Sequence, residues 1–216
     1  MKLPDPKDVP QTFQIIPGPE MGLVTPDFLE EVAKIAREHD IPLIKITSAQ
    51  RLGFVGLNPE DEESLRAKLD LPEPRGDKKK IGPTYIQACP GKGYCKYGRH
   101  NSLSLGKRLE SELADIELPA KVKIGVSGCA MNCCESYIRD LGIFGKKKGW
   151  TLVFGGNGGG NPRIADVIAS GLSDDQVVAL ARAILEYYGS QARRLERTAR
   201  FMERSRLSEI KEKLGL

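Results

Sequence analysis

No apolar run in this 216-residue sequence approaches the ~20 residues a membrane-spanning helix needs, so a helical membrane protein is excluded. The opening MKLPDPKDVPQTF has prolines and charges but no apolar core, unlike a secretory signal, and a cytoplasmic location is therefore expected. There is no internal repeat. An excess of one charge is missing as well: 33 Lys and Arg against 29 Asp and Glu leave +4, too little to require a polyanionic partner. Cysteines are few and odd in number. Five thiols in a chain with no export signal argue against a disulfide framework and for metal or redox use. What remains is ordinary for a soluble globular protein, 40% hydrophobic and 29% charged, long enough for one large or two small domains.

Two units are read along the chain, 1–75 and 76–216. Phe13–Ile16 is extended in character, and Thr25-Pro26 supplies an N-cap and a first-turn proline for a helix. Its stripe is Phe28, Leu29, Val32, Ile35 and Ala36. Leu43–Thr47 and Leu52–Leu57 are predicted strands, and Asn58-Pro59 opens a short acidic helix to about Leu69. A charged, proline-rich stretch through Lys78–Lys80 suits a linker. Beyond it, Asn101–Ala114 has leucines at four-residue spacing, and Ala120–Val126 alternates as a strand with Val122, Ile124 and Val126 on one face. Lys121, Lys123 and the side-chain-free Gly125 take the other face. Trp150–Phe154 is a further strand, leading into the glycine-rich 155–161. Ser173 and Gln176 form a capping box for a helix interrupted at Gly189, and a basic helical tail follows. Acids and apolar residues interleave with the tail arginines, which argues against a nucleic-acid arm.

Four cysteines lie in two short loops, Cys89-x5-Cys95 and Cys129-x3-Cys133. Four thiolates on loops rich in glycine, proline and asparagine match the needs of an iron-sulfur centre. Structural zinc sites use tighter spacing than the first pair offers, and zinc is the weaker reading. Cys134 adjoins Cys133, and spacing alone leaves open which of the two completes the set.

Taken together, C-x5-C, Leu118-Pro119-Ala120-Lys121-Val122-Lys123-Ile124, Ser127-Gly128-Cys129-Ala130-Met131-Asn132-Cys133 and Gly155–Gly159 resemble the siroheme and 4Fe-4S nitrite and sulfite reductases. Lys45–Arg51 resembles that family's arginine-bearing strand. The resemblance runs from about residue 20 to the tail. It implies an α+β fold, with a ferredoxin-like N-terminal unit followed by an α/β siroheme and 4Fe-4S unit with C-terminal helices. It implies that Cys89, Cys95, Cys129 and Cys133 hold the cluster and that Cys133 also ligates the siroheme iron.

Siroheme is rich in carboxylates and needs cations and N–H donors. Arg51, Lys92, Arg99, Asn132, Gly156, Asn157 and Gly158 are the candidates. Arg51, Lys121 and Lys123 are the candidate catalytic cations, neutralising a small anion, sulfite or nitrite, and delivering protons. An exposed strand face is the plainer reading of the two lysines. No flavin or nicotinamide fingerprint is present, so an external donor such as a ferredoxin is expected. Full-length relatives carry two copies of the unit and this chain one, which points to a homodimer. The family's arginine before the first cysteine has no counterpart in 82–88. The competing function is an electron-transfer or cofactor-carrying 4Fe-4S subunit without substrate chemistry.

Overall fold

A computed structural model describes residues 3–16, 20–69 and 83–216. The chain divides into two compact units, Met1–Gly76 and Asp77–Leu216. The expected boundary after residue 75 and the Lys78–Lys80 linker lie outside the described residues.

In the first unit the strands β1 (Phe13–Ile16), β2 (Leu43–Ile46) and β3 (Leu52–Val55) form an antiparallel sheet of order β1-β3-β2. Helix α1 (Pro26–Glu38) starts where expected: Thr25 Oγ1 accepts the Phe28 N–H at 3.2 Å, and Pro26 occupies a position whose N–H has no helical partner. It buries Val32, Ile35 and Ala36 against Ile16, Leu52 and Phe54, whereas Leu29, on the first turn, stays 49% exposed. Asn58-Pro59 opens a 3-10 turn that passes into α2 (Glu62–Lys68), and Leu65 and Leu69 complete this core.

The second unit is built on a five-stranded sheet of order β4-β5-β6-β7-β8, with β4 (Pro83–Ala88), β5 (Val122–Ser127) and β6 (Leu141–Lys146) parallel. Strands β7 (Gly149–Phe154) and β8 (Asp166–Leu172) run antiparallel at the end. Helices α3 (Ser102–Glu112) and α4 (Asp174–Gln191) cover one face, where Val122, Ile124, Val126, Leu141, Ile143 and Leu152 are all fully buried. The expected capping box at Ser173 and Gln176 has both of its hydrogen bonds. Gly189 does not interrupt α4. The helix runs on through it to Gln191, and a Cβ there would make only ordinary contact with the Glu117 carbonyl.

The opposite face is also covered, which the alternation in β5 does not foretell. Segment 129–139 crosses it, and Gly125 and Gly142, partners in register on β5 and β6, make room. A Cβ on Gly125 would come within 2.5 Å of the Cys134 carbonyl, and one on Gly142 within 2.0 Å of the Ser136 carbonyl.

The basic tail folds into α5 (Thr198–Arg204) and α6 (Leu207–Lys213), with Arg197, Arg204 and Arg206 paired to acids within the unit. Arg204 grips Glu196 with Nε at 2.7 Å and Nη2 at 2.8 Å. That pairing, reinforced by the Arg193 N–H, holds the Glu196 carboxyl down at about 2. Unfolded, the group titrates near ~4.3. The stabilisation is therefore complete above about pH 4.3 and fades as the pH falls toward 2, where the native carboxylate is finally protonated. Glu196→Gln is expected to cost about 1 kcal/mol at neutral pH, solvent screening of Arg204 included, and nothing near pH 2. Denaturant midpoints of the two proteins across that range measure it.

Candidate metal and cofactor site

Because β4 and β5 are parallel neighbours, the loops that leave them emerge at the same sheet edge, and these are the two cysteine loops. Cys89 directly follows β4, with its N–H on the Val126 carbonyl at 3.1 Å, while Gly128 and Cys129 follow β5. The Gly128 carbonyl accepts the N–H groups of both Arg99 and His100 at 3.0 Å. Glycines bring the loops this close. A Cβ on Gly98 would approach Gly91 to 2.4 Å, and one on Gly128 would meet the Gly91 Cα at 2.8 Å and the His100 carbonyl at 2.7 Å. No side chain fits at these contacts.

The thiols differ in setting. Cys129 and Cys134 are buried, Cys89 and Cys95 half-buried, and Cys133 exposed. Partial burial pushes the Cys133 thiol up, and the sulfurs of Cys89, Cys129 and Cys95 each push it further, so one sulfur feels the other three. Cys89 is the opposite case. A hydrogen bond from Cys134, reinforced by the Gly128 N–H at 3.1 Å, draws its thiol down to about 5. Four sulfurs that repel one another when ionised need a cationic core between them. Among the described residues, no three His, Cys, Asp or Glu side chains are grouped as a single metal ion requires. A polynuclear cluster gives each thiolate its own iron, and the donor set here suits it.

Asn132 shapes the second loop. In the left-handed conformation (φ 58°), it accepts the Ser136 N–H at 3.0 Å and the Ser127 hydroxyl at 3.3 Å through Oδ1. Lys92 and Arg99 are exposed on the first loop beside Cys95. His100 faces elsewhere, its Nε2 on the Lys146 carbonyl at 2.7 Å and its ring against Trp150.

Lys123 lies half-buried on the face crossed by segment 129–139, roughly 13 Å along β5 from Ser127 at ~3.3 Å per residue. Lys121 precedes the strand and is exposed. The glycine-rich loop is at that same far end, since Phe154 pairs with Leu141 at the start of β6. Gly156 is buried with its N–H on the Arg139 carbonyl at 3.0 Å, Asn157 Oδ1 accepts the Gly159 N–H at 3.1 Å, and Gly158 is exposed over Ile138. Arg51 belongs to the first unit, at the close of the β2–β3 turn, where its N–H donates to Thr47 Oγ1 at 3.1 Å.

Two charged residues on the covered face carry no sequence signal. Arg139 is 9% exposed and donates to Tyr85 Oη at 3.0 Å, Gln87 Oε1 at 2.8 Å, Glu135 at 2.8 Å and the Cys134 carbonyl at 3.3 Å. It ties the strand that leads into Cys89 to the loop that carries Cys133. Asp140, 1% exposed, fixes the start of β6 to Lys123 and to the C-terminal arm. Neither spacing nor periodicity distinguishes this pair from two surface charges.

The chain belongs to the nitrite and sulphite reductase 4Fe-4S family: that family's domain matches residues 81–216, and the nitrite/sulfite reductase ferredoxin-like half domain matches residues 7–71. It is an oxidoreductase, and membership implies a 4Fe-4S cluster and siroheme as cofactors. It is 42% identical to the assimilatory-type sulfite reductase of Nitratidesulfovibrio vulgaris, over 93% of this chain and 91% of that protein. It is 34% identical to a nitrite reductase (NAD(P)H) of Bacillus subtilis, over 94% of this chain but only 25% of that protein. The crystal structure of dissimilatory sulfite reductase I shares the fold, with a TM-score of 0.77 at 12% identity, over 94% of this chain and 68% of that one. No helix among the described residues is long and apolar enough to cross a membrane.

Proposed function

We propose that this protein reduces sulfite to sulfide, with nitrite as the alternative anion, using electrons from a separate donor protein such as a ferredoxin. The observation that carries the reading is the glycine-locked pair of cysteine loops at one edge of a sheet whose adjoining face and far end present Lys123 and Lys121. Near full-length similarity to an assimilatory-type sulfite reductase favours sulfite over nitrite.

In this reading Cys89, Cys95, Cys129 and Cys133 hold the cluster. The exposure of Cys133 suits the further role of ligand to the siroheme iron. Lys92 and Arg99 on the first loop meet siroheme carboxylates, and the loop through Gly156, Asn157 and Gly158 offers backbone donors. Asn132 serves the site by holding the Cys133 loop in shape. When bound, the paired cofactors supply multi-electron transfer. Lys121 and Lys123 bind the anion, spread its charge over two ammonium groups, and hold protons at Nζ for the oxygens that leave as water. A homodimer belongs to the same proposal.

The test is protein made anaerobically with siroheme supplied. Haem-like visible bands, acid-labile sulfide with iron in excess of it by the siroheme iron, and dye-coupled sulfite reduction are expected. A colourless preparation sinks the proposal.

A further inference from the structure

Arg139 is a cation held inside the second unit, on the segment that follows the second cysteine loop. Its stem lies over Gly125 on β5, where a Cβ would meet the Arg139 Cγ at 2.9 Å, so the bare position lets it approach the sheet. From there the guanidinium reaches the immediate neighbours of two proposed cluster ligands. Nε donates at 3.3 Å to the carbonyl of Cys134, the residue after Cys133, and Nη2 donates at 2.8 Å to Gln87 Oε1, two residues before Cys89. Nη1 donates to Tyr85 Oη at 3.0 Å. With consecutive Cα atoms ~3.8 Å apart, the charge is fixed within ~10 Å of the Cys133 backbone.

The charge around it is unevenly balanced. Three of the four partners are neutral, a carbonyl, an amide and a phenol. The fourth, Glu135 at 2.8 Å, has a side chain 57% exposed against 10% for Arg139. Water screens the carboxylate more than the guanidinium, so the two charges do not cancel toward the interior. Asp140, the next residue, is matched by Arg197 at 2.7 Å. A neutral amide could bridge β4 and the loop without the desolvation cost of a guanidinium, and fastening alone therefore does not call for a cation.

We propose that Arg139 is a tuning residue for the cluster: its buried, incompletely compensated charge raises the reduction potential of the centre held by Cys89, Cys95, Cys129 and Cys133. The inference rests on the ligand set proposed above. An electron entering the cluster adds one negative charge, and a fixed cation nearby in a medium of low dielectric stabilises the reduced form more than the oxidised one.

Anaerobically purified holoprotein is compared with Arg139→Gln, Arg139→Lys and Glu135→Gln by iron and sulfide content and by potentiometric titration followed by electron paramagnetic resonance. The cluster midpoint is expected to fall in Arg139→Gln and to stay near the parent's in Arg139→Lys. It is expected to rise in Glu135→Gln, which keeps an acceptor for Arg139 and removes the opposing charge. Opposite shifts from the two members of one ion pair mark charge, whereas disturbed packing moves both the same way. An unmoved midpoint in Arg139→Gln overturns the inference, as does a fall in Arg139→Lys as deep as in the glutamine variant, or a midpoint in Glu135→Gln at or below the parent's. If Arg139→Gln loses its iron, Glu135→Gln decides on the same terms. A parent protein without iron and sulfide overturns the ligand set, and this inference with it. Normal iron with unmoved midpoints overturns this inference alone.

Discussion

Asp140→Ala is expected to destabilise the second unit by about 2–3 kcal/mol, since it leaves buried donors without an acceptor while the 39% exposed Arg197 guanidinium regains water. The carboxylate is 1% exposed, and its bonds come from strand β5 and from the start of α5. Arg197 approaches with Nη2 at 2.9 and 2.7 Å from the two oxygens and Nε at 3.2 Å. Thr198 Oγ1 donates at 2.7 Å and the backbone N–H of Lys123 at 2.8 Å. Truncation leaves a guanidinium, a hydroxyl and a strand N–H without their acceptor. Asp140→Asn keeps the shape and one acceptor and loses the charge, so it is expected to fall between the parent and the alanine variant. Denaturant unfolding followed by far-ultraviolet circular dichroism measures both. A loss under 1 kcal/mol for the alanine variant shows that the arm from Arg197 onward is held by packing of Phe201 and Met202 instead. The effect reaches the site, because the bond from Lys123 sets where that residue sits on its strand.

Why the sequence conveys some of this and not the rest follows from what each residue reports. Spacing singled out the two cysteine loops, but their meeting at one end of the sheet follows from the parallel pairing of β4 and β5, which no local pattern announces. Capping chemistry located α1 and α4, because Thr25 and Ser173 act on N–H groups only three residues away. Strand β6 is harder to read: Gly142 and Gly145 stand where its alternation calls for side chains, and both are there for close approach by Ser136 and by Gly128 with His100. Gly125 carries the same ambiguity. An empty position on a strand reads equally as an open face or as a covered one, and here it is covered. The side chains of Arg139 and Asp140 form their bonds across distances of 17 to 58 residues apart from local ones to 134 and 135, beyond the reach of any periodic pattern.

Lys123→Met carries the second large effect and separates the reductase from a carrier of electrons alone. The residue projects from the face that Tyr85, its register partner, and Gly125 share, with Arg139 lying over the glycine. Arg139 has four hydrogen-bond partners within the protein and is committed to them, so the work of meeting an anion on this face falls to Lys123 and Lys121. Methionine keeps the length and flexibility of the stem and removes the ammonium. On the proposed reading kcat/KM for sulfite is expected to fall by about 10²–10⁴-fold, the range for losing a proton donor together with charge stabilisation in the transition state. Iron content, visible bands and unfolding midpoint are expected to stay at the parent's values, because the strand is held through the Lys123 backbone and not its side chain. Lys121→Met, at the exposed approach to the strand, is expected to raise KM more than it lowers kcat. If sulfite reduction by Lys123→Met equals the parent's, the lysine face is an ordinary strand surface and the substrate chemistry assigned to it is wrong.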